Sequence, residues 1–152
     1  MTLFAPALTP TLRFTIYGVA APKGSTKAFV VRKKGDTGPG RAIVTADNKG
    51  PARQWAGAVT EAASRAVAEQ RQGQPITGPV RVRVAFYLPR PKSLPKRVTA
   101  HTKKPDADKL ARNIGDALRH VAYEDDSCVV EWQVRKQYAV GAPHAEIVVE
   151  GV

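Results

Sequence analysis

The chain has 152 residues and a formal net charge of +11, and one domain with its own apolar core is the simplest organisation at this length. Its single cysteine, Cys128, excludes an internal disulfide, so we expect a reducing, cytoplasmic location. We expect no membrane association, because no apolar run approaches the length of a bilayer span. We also expect no signal peptide, because the N-terminus lacks the charge and apolar pattern of one.

The charge is distributed unevenly along the chain. Residues 1–105 carry 19 basic and 4 acidic side chains, whereas residues 106–152 carry 5 basic and 9 acidic ones. A basic body attracts nucleic acid, because binding releases the counterions condensed on the phosphates. A GC-rich genome would also enrich a chain in arginine and alanine, but we favour nucleic-acid binding over that explanation.

The first part of the chain predicts a strand followed by a hairpin. Residues 11–19 alternate apolar and polar side chains, which is typical of a strand with one buried face. Residues 27–33 and 42–45 predict two short strands joined by a turn rich in glycine and proline. The basic side chains around the turn would either reach a phosphate backbone or remain solvated; they are Lys33, Lys34 and Arg41.

A long helix is predicted next, from about Pro51 to about Gln72. Proline suits the first turn of a helix, and Gly73 follows the last position of the apolar pattern. The apolar stripe of this helix includes Trp55, which we expect in the core rather than stacked on a base.

Residues 79–88 give the clearest strand pattern, with apolar side chains on one face and Arg81 and Arg83 on the other. The two arginines would be solvated or would line a track for phosphates. The segment 89–104 that follows is long, basic and rich in proline, which is typical of a functional loop. We expect His101 to be a polar loop residue. The basic candidates for DNA contact in this loop are Lys96, Arg97, Lys103 and Lys104.

A second helix is predicted over residues 108–121, with apolar residues on one side and charged residues on the other. Two closing strands follow at 128–138 and 145–150, and we expect Trp132 on the first of them to serve packing. Neither a repeat nor a linker is visible, so the pattern predicts a single α+β domain with two main helices.

Acidic residues are concentrated just where the net charge changes sign. Six of the thirteen fall within the twenty-one positions from 106 to 126. Crowded like charges repel, and a fold that keeps them usually neutralises them with basic side chains or with a hard divalent cation. The six are Asp106, Asp108, Asp116, Glu124, Asp125 and Asp126.

The spacing of these carboxylates suits a shared cation. Asp106 and Asp108 project to the same side of an extended segment, and a chain reversal after the second helix would bring Asp126 back towards them. Asp116 would complete or support the site. Oxygen ligands favour Mg²⁺ or Mn²⁺ over zinc, which prefers histidine and cysteine.

Two basic residues on the second helix, Lys109 and Arg112, would stabilise negative charge in a transition state. A plainer explanation of the helix is an exposed ladder of ion pairs in which Asp108, Arg112 and Asp116 follow one another at a spacing of four. From spacing alone, the metal site and the surface ladder are about equally favoured.

At these residues the sequence resembles the RusA family of Holliday junction resolvases, which are common in phages and prophages. The family pattern is Asp-x-Asp-[Asn/Lys]-Leu, then Asp-Ala-Leu in a helix, then Asp-Asp-x-x-Val-Val. Here it stands as DADKL at 106–110, DAL at 116–118 and DDSCVV at 125–130. The resemblance covers roughly residues 75–150, and the three linked motifs favour the metal site over the surface ladder.

The resemblance implies a small mixed β-sheet with helices, assembled as a homodimer. It implies Mg²⁺-dependent cleavage of four-way DNA junctions by paired symmetric nicks, with no small-molecule cofactor, in a bacterial or phage-infected cell. It implies that Asp106, Asp108 and Asp126 bind the metal, with Asp116 and Asp125 as supporting acids. The family's functional lysine falls on Arg112 here, so Lys109 is a second candidate for that cation.

Two other functions remain open from the sequence. One is a non-catalytic, basic nucleic-acid-binding module whose acids are surface charges. The other is a metal nuclease that acts on flaps or on RNA, because selectivity for a branched substrate depends on geometry that residue patterns do not reveal.

Overall fold

A computed structural model describes residues 9–24, 26–46 and 49–152 of the chain. The elements appear in the predicted order, and the second helix ends at Leu118, three residues earlier than predicted, because the backbone leaves the helix at Arg119 (φ −57°, ψ 136°). The elements are β1 (Thr11–Tyr17), β2 (Thr26–Val31), β3 (Arg41–Ala46), α1 (Lys49–Arg71), β4 (Val80–Leu88), α2 (Ala107–Leu118), β5 (Val129–Tyr138) and β6 (His144–Gly151).

Four strands form a mixed sheet in the order β1-β6-β4-β5, and β2 pairs with β3 in a separate two-stranded sheet. β4 and β5 run parallel, whereas β1 and β4 both pair antiparallel with β6. The predicted α+β class with a small mixed sheet and two helices is therefore confirmed. Parallel neighbours need a crossover connection, and α2 lies within the one that joins β4 to β5.

The core lies between one face of the sheet and the two helices. The apolar face of β4 is buried along its whole length, and its five side chains are at most 3% exposed. Trp55 on α1 is 5% exposed, which confirms it as a core residue. Burying each such side chain stabilises the fold by roughly 1.5–3 kcal/mol. The five on β4 are Val80, Val82, Val84, Phe86 and Leu88.

The described residues include no helix that is both long enough and apolar enough to span a bilayer.

Candidate carboxylate site

Helix α2 presents a charged face because its apolar face is held in the core. Leu110, Ile114 and Leu118 are fully buried. The charged residues Asp108, Arg112 and Asp116 therefore face outward, at the spacing of four that puts side chains on one side of a helix. Asp108 lies in the first turn, where a negative charge also interacts favourably with the helix dipole.

A pocket of about 560 Å³ lies along this charged face, between α2 and β5. It brings together four of the predicted site residues, whereas Asp106, Lys109 and Asp125 are not part of its wall. Apolar residues form the rest of the wall, so the acids stand beside a surface that holds water weakly. The lining residues are Ala107, Asp108, Ala111, Arg112, Gly115, Asp116, Asp126, Trp132 and Val134.

Trp132 serves packing, as predicted, and it packs against α2, but it is not a core residue. Its side chain is 38% exposed and forms one wall of the pocket. The ring approaches the helix at Gly115, where an added Cβ would lie 3.3 Å from Trp132 Cζ2. The small residue on α2 therefore sets how closely β5 and its tryptophan approach the acids.

The chain after α2 places Asp126 at the C-terminal end of that helix. Asp126 begins a 3-10 turn, Asp126–Cys128, which is capped by Asp125. The Asp125 carboxylate accepts hydrogen bonds from the side chain (2.7 Å) and the backbone (3.2 Å) of Ser127. These bonds lower the pKa of Asp125. Asp125 therefore shapes the turn that carries Asp126.

Tyr123 lies near both Asp126 and Asp116. Its ring is fully buried, and its hydroxyl donates to the carbonyl oxygen of Gly115 at 3.3 Å. Burial raises the pKa of Tyr123, and the negative charges of Asp126 and Asp116 raise it further. Both carboxylates thus stand near the C-terminal end of α2.

Asp106 stands at the other end of the helix. It is the N-cap of α2, and Lys109 lies 3.6 Å from its carboxylate. The residues before it are held by Lys136 of β5, whose ammonium donates to the carbonyl oxygens of Lys103 and of Pro105 (2.8 Å to the latter). Twelve residues of helix span about 18 Å, so one chain places Asp106 and Asp126 far apart.

The carboxylate oxygens fit a hard divalent cation in their chemistry. Their placement along α2 spreads them over the length of the pocket. Among residues 9–24, 26–46 and 49–152, no three histidine, cysteine, aspartate or glutamate side chains are grouped closely enough to hold a metal ion.

Lys23 is a residue of this site that the sequence did not reveal. Its ammonium forms an ion pair with Asp116, and its backbone N–H donates to the carbonyl oxygen of Lys109 at 3.1 Å. Lys23 lies 93 positions before Asp116, and no local pattern connects two residues so far apart. Only the packing of the N-terminal segment on α2 brings them together.

Arg81 and Arg83 lie on the face of β4 that points away from the helices. Arg81 is paired with Glu131 and Glu150, and Arg83 with Glu150. Hydrogen bonds from Gln133 and then from Arg81 lower the pKa of Glu131. A phosphate at this face would have to compete with carboxylates from both flanking strands.

The loop 89–104 is fixed against the end of the sheet. Arg90 donates to the carbonyl oxygens of Val98 (2.6 Å) and Pro95, and Tyr138 N–H donates to Thr99 O at 2.9 Å. The basic residues that were predicted to contact DNA in this loop and on the β2–β3 hairpin are all exposed, whereas Arg81 and Arg83 are half-buried. The exposed residues are Lys96, Arg97, Lys103 and Lys104 in the loop, and Lys33, Lys34 and Arg41 on the hairpin.

His101 is a polar residue of the loop, as expected, but it is not solvent-exposed. It is 9% exposed, and its ring packs 4.5 Å from that of Tyr138. Burial lowers its pKa, and the charge of Lys136 lowers it further. The histidine therefore helps to hold the loop on β5.

The chain is similar to known proteins over most of its length. The family model described as endodeoxyribonuclease RusA matches residues 20–150. An uncharacterized protein of Bacillus subtilis (strain 168), YqaN, is 38% identical over 87 residues, which make up 51% of this chain and 61% of YqaN. The matched region thus spans less than two thirds of that relative.

Proposed function

This chain belongs to the RusA family of endodeoxyribonucleases, and from this premise we propose that it is a Mg²⁺-dependent nuclease that resolves four-way DNA junctions by paired symmetric nicks. The observation that supports the proposal most is the pocket along α2. It combines Asp108, Asp116 and Asp126 with Arg112 on a chain whose net charge is otherwise strongly positive.

We propose Asp106, Asp108 and Asp126 as the metal ligands, with Asp116 and Asp125 as supporting acids. A bound Mg²⁺, or Mn²⁺ in its place, would activate water and stabilise the charge that develops on the leaving oxygen of a phosphodiester. Asp125 supports this site by capping the turn that presents Asp126. Lys136 supports it at the other end by fixing the backbone before Asp106.

The opposite placement of Asp106 and Asp126 supports a homodimer. A helix of about 18 Å separates them within one chain, so we propose that the carboxylates sharing one cation come from two protomers. Strand β5 offers a surface for this contact, because it lies at the edge of the sheet and carries Val130 at 63% exposure beside Trp132. Exposed edge strands with apolar side chains readily pair with another chain.

A two-fold dimer also suits the substrate. A four-way junction has approximate two-fold symmetry, so two identical sites would meet two equivalent strands. The hairpin and the loop 89–104 would hold the phosphates of the arms through their exposed basic residues. Arg112 is the better-placed of the two candidate cations, since it forms part of the pocket wall and Lys109 does not.

The test is incubation of a labelled four-way junction with the protein, with and without Mg²⁺. We expect symmetric nicks that require the metal. Parallel reactions on flap, linear duplex and RNA substrates distinguish the alternatives: preferred cutting of a flap or RNA would replace junction resolution. Metal-independent binding without any cut product would leave only a nucleic-acid-binding module.

A further inference from the structure

Lys23 comes from a part of the chain that lies far from the acidic motifs. In the structure its ammonium pairs with Asp116 in the wall of the acidic pocket. We propose that Lys23 is a substrate-binding residue of this site and that its ammonium contacts a DNA phosphate at the Asp116 end of the pocket. The inference deepens the proposed nuclease function and rests on it.

Lys23 is held in place by bonds that do not involve its side chain. Asn113 of α2 is only 4% exposed, and its amide donates to the carbonyl oxygens of Ala21 (2.9 Å) and Ala52 (3.0 Å). The N–H of Lys23 donates to Lys109 O at 3.1 Å. A buried amide left without these partners would cost about 1–3 kcal/mol, so the segment is firmly fixed on α2. The lysine therefore projects from a rigid backbone.

The ion pair with Asp116 does not by itself explain such a position. The side chains of Lys23 and Asp116 are 47% and 38% exposed, respectively. An exposed pair of this kind contributes about 0–1 kcal/mol to stability. An ammonium has three N–H donors, and the Asp116 carboxylate is the one hydrogen-bond partner of this ammonium among the residues that the structure describes. N–H donors of the Lys23 ammonium therefore remain available to a phosphate oxygen.

Electrostatics also favours a cation here. DNA must bring its phosphates towards Asp116 and Asp126, which repel them in the absence of metal. Arg112 faces the same pocket, but a planar guanidinium and a compact ammonium are not interchangeable around a phosphate. Lys23 thus contributes an ammonium group to a site in which α2 contributes the guanidinium group of Arg112.

The first test is junction binding without divalent metal, measured as a function of salt concentration. Each phosphate contact contributes about 0.9 to the slope of log K against log salt on duplex DNA. We expect Lys23→Met to reduce the magnitude of the slope by about one contact and Lys23→Arg to retain it. Arg65→Met is the matched control, because Arg65 forms a comparable exposed ion pair with Glu61 on α1, away from the pocket; it should leave the slope unchanged.

The second test separates a direct contact from an effect through Asp116. Lys23→Met is made in the wild-type chain and in the Asp116→Asn variant. We expect it to reduce the salt slope in both backgrounds and to lower the kcat of Mg²⁺-dependent cleavage at least about tenfold in each. Thermal unfolding confirms that each variant is folded.

Two results would overturn the inference. If Lys23→Met matches the wild type in salt slope and cleavage, or if its effect disappears in Asp116→Asn, the lysine does not contact DNA. In either case wild-type protein still binds and cuts the junction, which leaves the proposed function intact. A wild-type protein that neither binds nor cuts the junction would remove the proposed function and this inference together.

Discussion

At the scale of single residues, the acids of the three motifs differ in their surroundings. Asp125 is engaged by Ser127 and acts as a cap, whereas Asp126 lines the pocket. Asp108 lines the pocket in the first turn of α2, whereas Asp106 occupies the N-cap position outside the pocket and its side chain makes no capping hydrogen bond. Substitution of single carboxylates by the isosteric amide therefore distinguishes ligands from structural acids.

We expect Asp108→Asn and Asp126→Asn to lower junction cleavage at least about 100-fold, or about 2.7 kcal/mol of transition-state stabilisation, because each removes a proposed metal ligand. Binding without metal should be retained or tightened, since a charge that repels phosphate is removed. Single-turnover cleavage and gel-shift titration measure the two effects. Glu61→Gln on α1 serves as the control acid. Wild-type cleavage rates in Asp126→Asn would remove that carboxylate from the site.

Gly115 is a position of α2 where the close approach of Trp132 requires a small residue. We expect Gly115→Leu to destabilise the protein by about 1–3 kcal/mol, because its Cβ alone would approach Trp132 to 3.3 Å. Gly57→Leu on α1 is the matched control. Nothing lies within 4 Å of a Cβ there, so the better helix former should raise stability by up to about 1 kcal/mol. Urea unfolding measures the change in stability caused by each substitution. Equal changes would mean that the Trp132 ring moves aside freely.

At the scale of elements, the loop before α2 depends on β5 for its position. Lys136 donates to the carbonyl oxygens of Lys103 and Pro105, and His101 packs on Tyr138. A sequence pattern with three prolines and many basic residues predicts a long loop. It does not show that the loop is bound to a strand, because the partners lie more than thirty positions along the chain.

We expect Lys136→Met to destabilise the protein by about 1–3 kcal/mol, because two carbonyl groups lose a charged donor. Hydrogen exchange should accelerate at the amide of Tyr138, which bonds to Thr99 O. Arg135→Met, on the outward face of the same strand, is the control and should leave that amide protected. Unchanged exchange in Lys136→Met would show that the loop is held by other contacts.

Most elements were predictable because their signals are local. Alternation identified β4, and its five apolar side chains are all buried. The end of α2 was placed three residues too late, because Val121 continues the apolar periodicity although the backbone leaves the helix at Arg119. Trp132 was expected to pack and does, but its exposure depends on β5 being an edge strand, which periodicity does not encode.

At the scale of the whole molecule, the proposed metal ligands lie at the two ends of α2, and one chain does not bring them together around one ion. In the proposed homodimer, the carboxylates that share one cation come from two protomers. The apolar side chains exposed on the edge strand β5, Val130 and Trp132, are the natural contact, and Trp132 also forms a wall of the pocket.

We expect the protein to sediment as a dimer at micromolar concentration, and Val130→Lys to shift it towards monomer, because a charge would be buried at the contact. Val140→Lys is the matched control, since Val140 is fully exposed in the turn between β5 and β6. Light scattering after size-exclusion chromatography gives the masses. A monomeric wild type would contradict the two-protomer site, whereas equal behaviour of the two variants would move the interface away from β5.

The sequence by itself determined the order of the elements, the buried faces of β4 and α2, and the acidic motifs that resemble one family. These features are encoded by residues a few positions apart, so periodicity and spacing reveal them. Only the tertiary structure decided that Lys23 meets Asp116 and that Arg81 and Arg83 are paired with glutamates. It alone also decided that Asp106 and Asp126 stand at opposite ends of α2. The reason is physical: each of these relations depends on how segments that are distant in the chain pack together, as when the parallel pairing of β4 with β5 brings Glu131 beside Arg81.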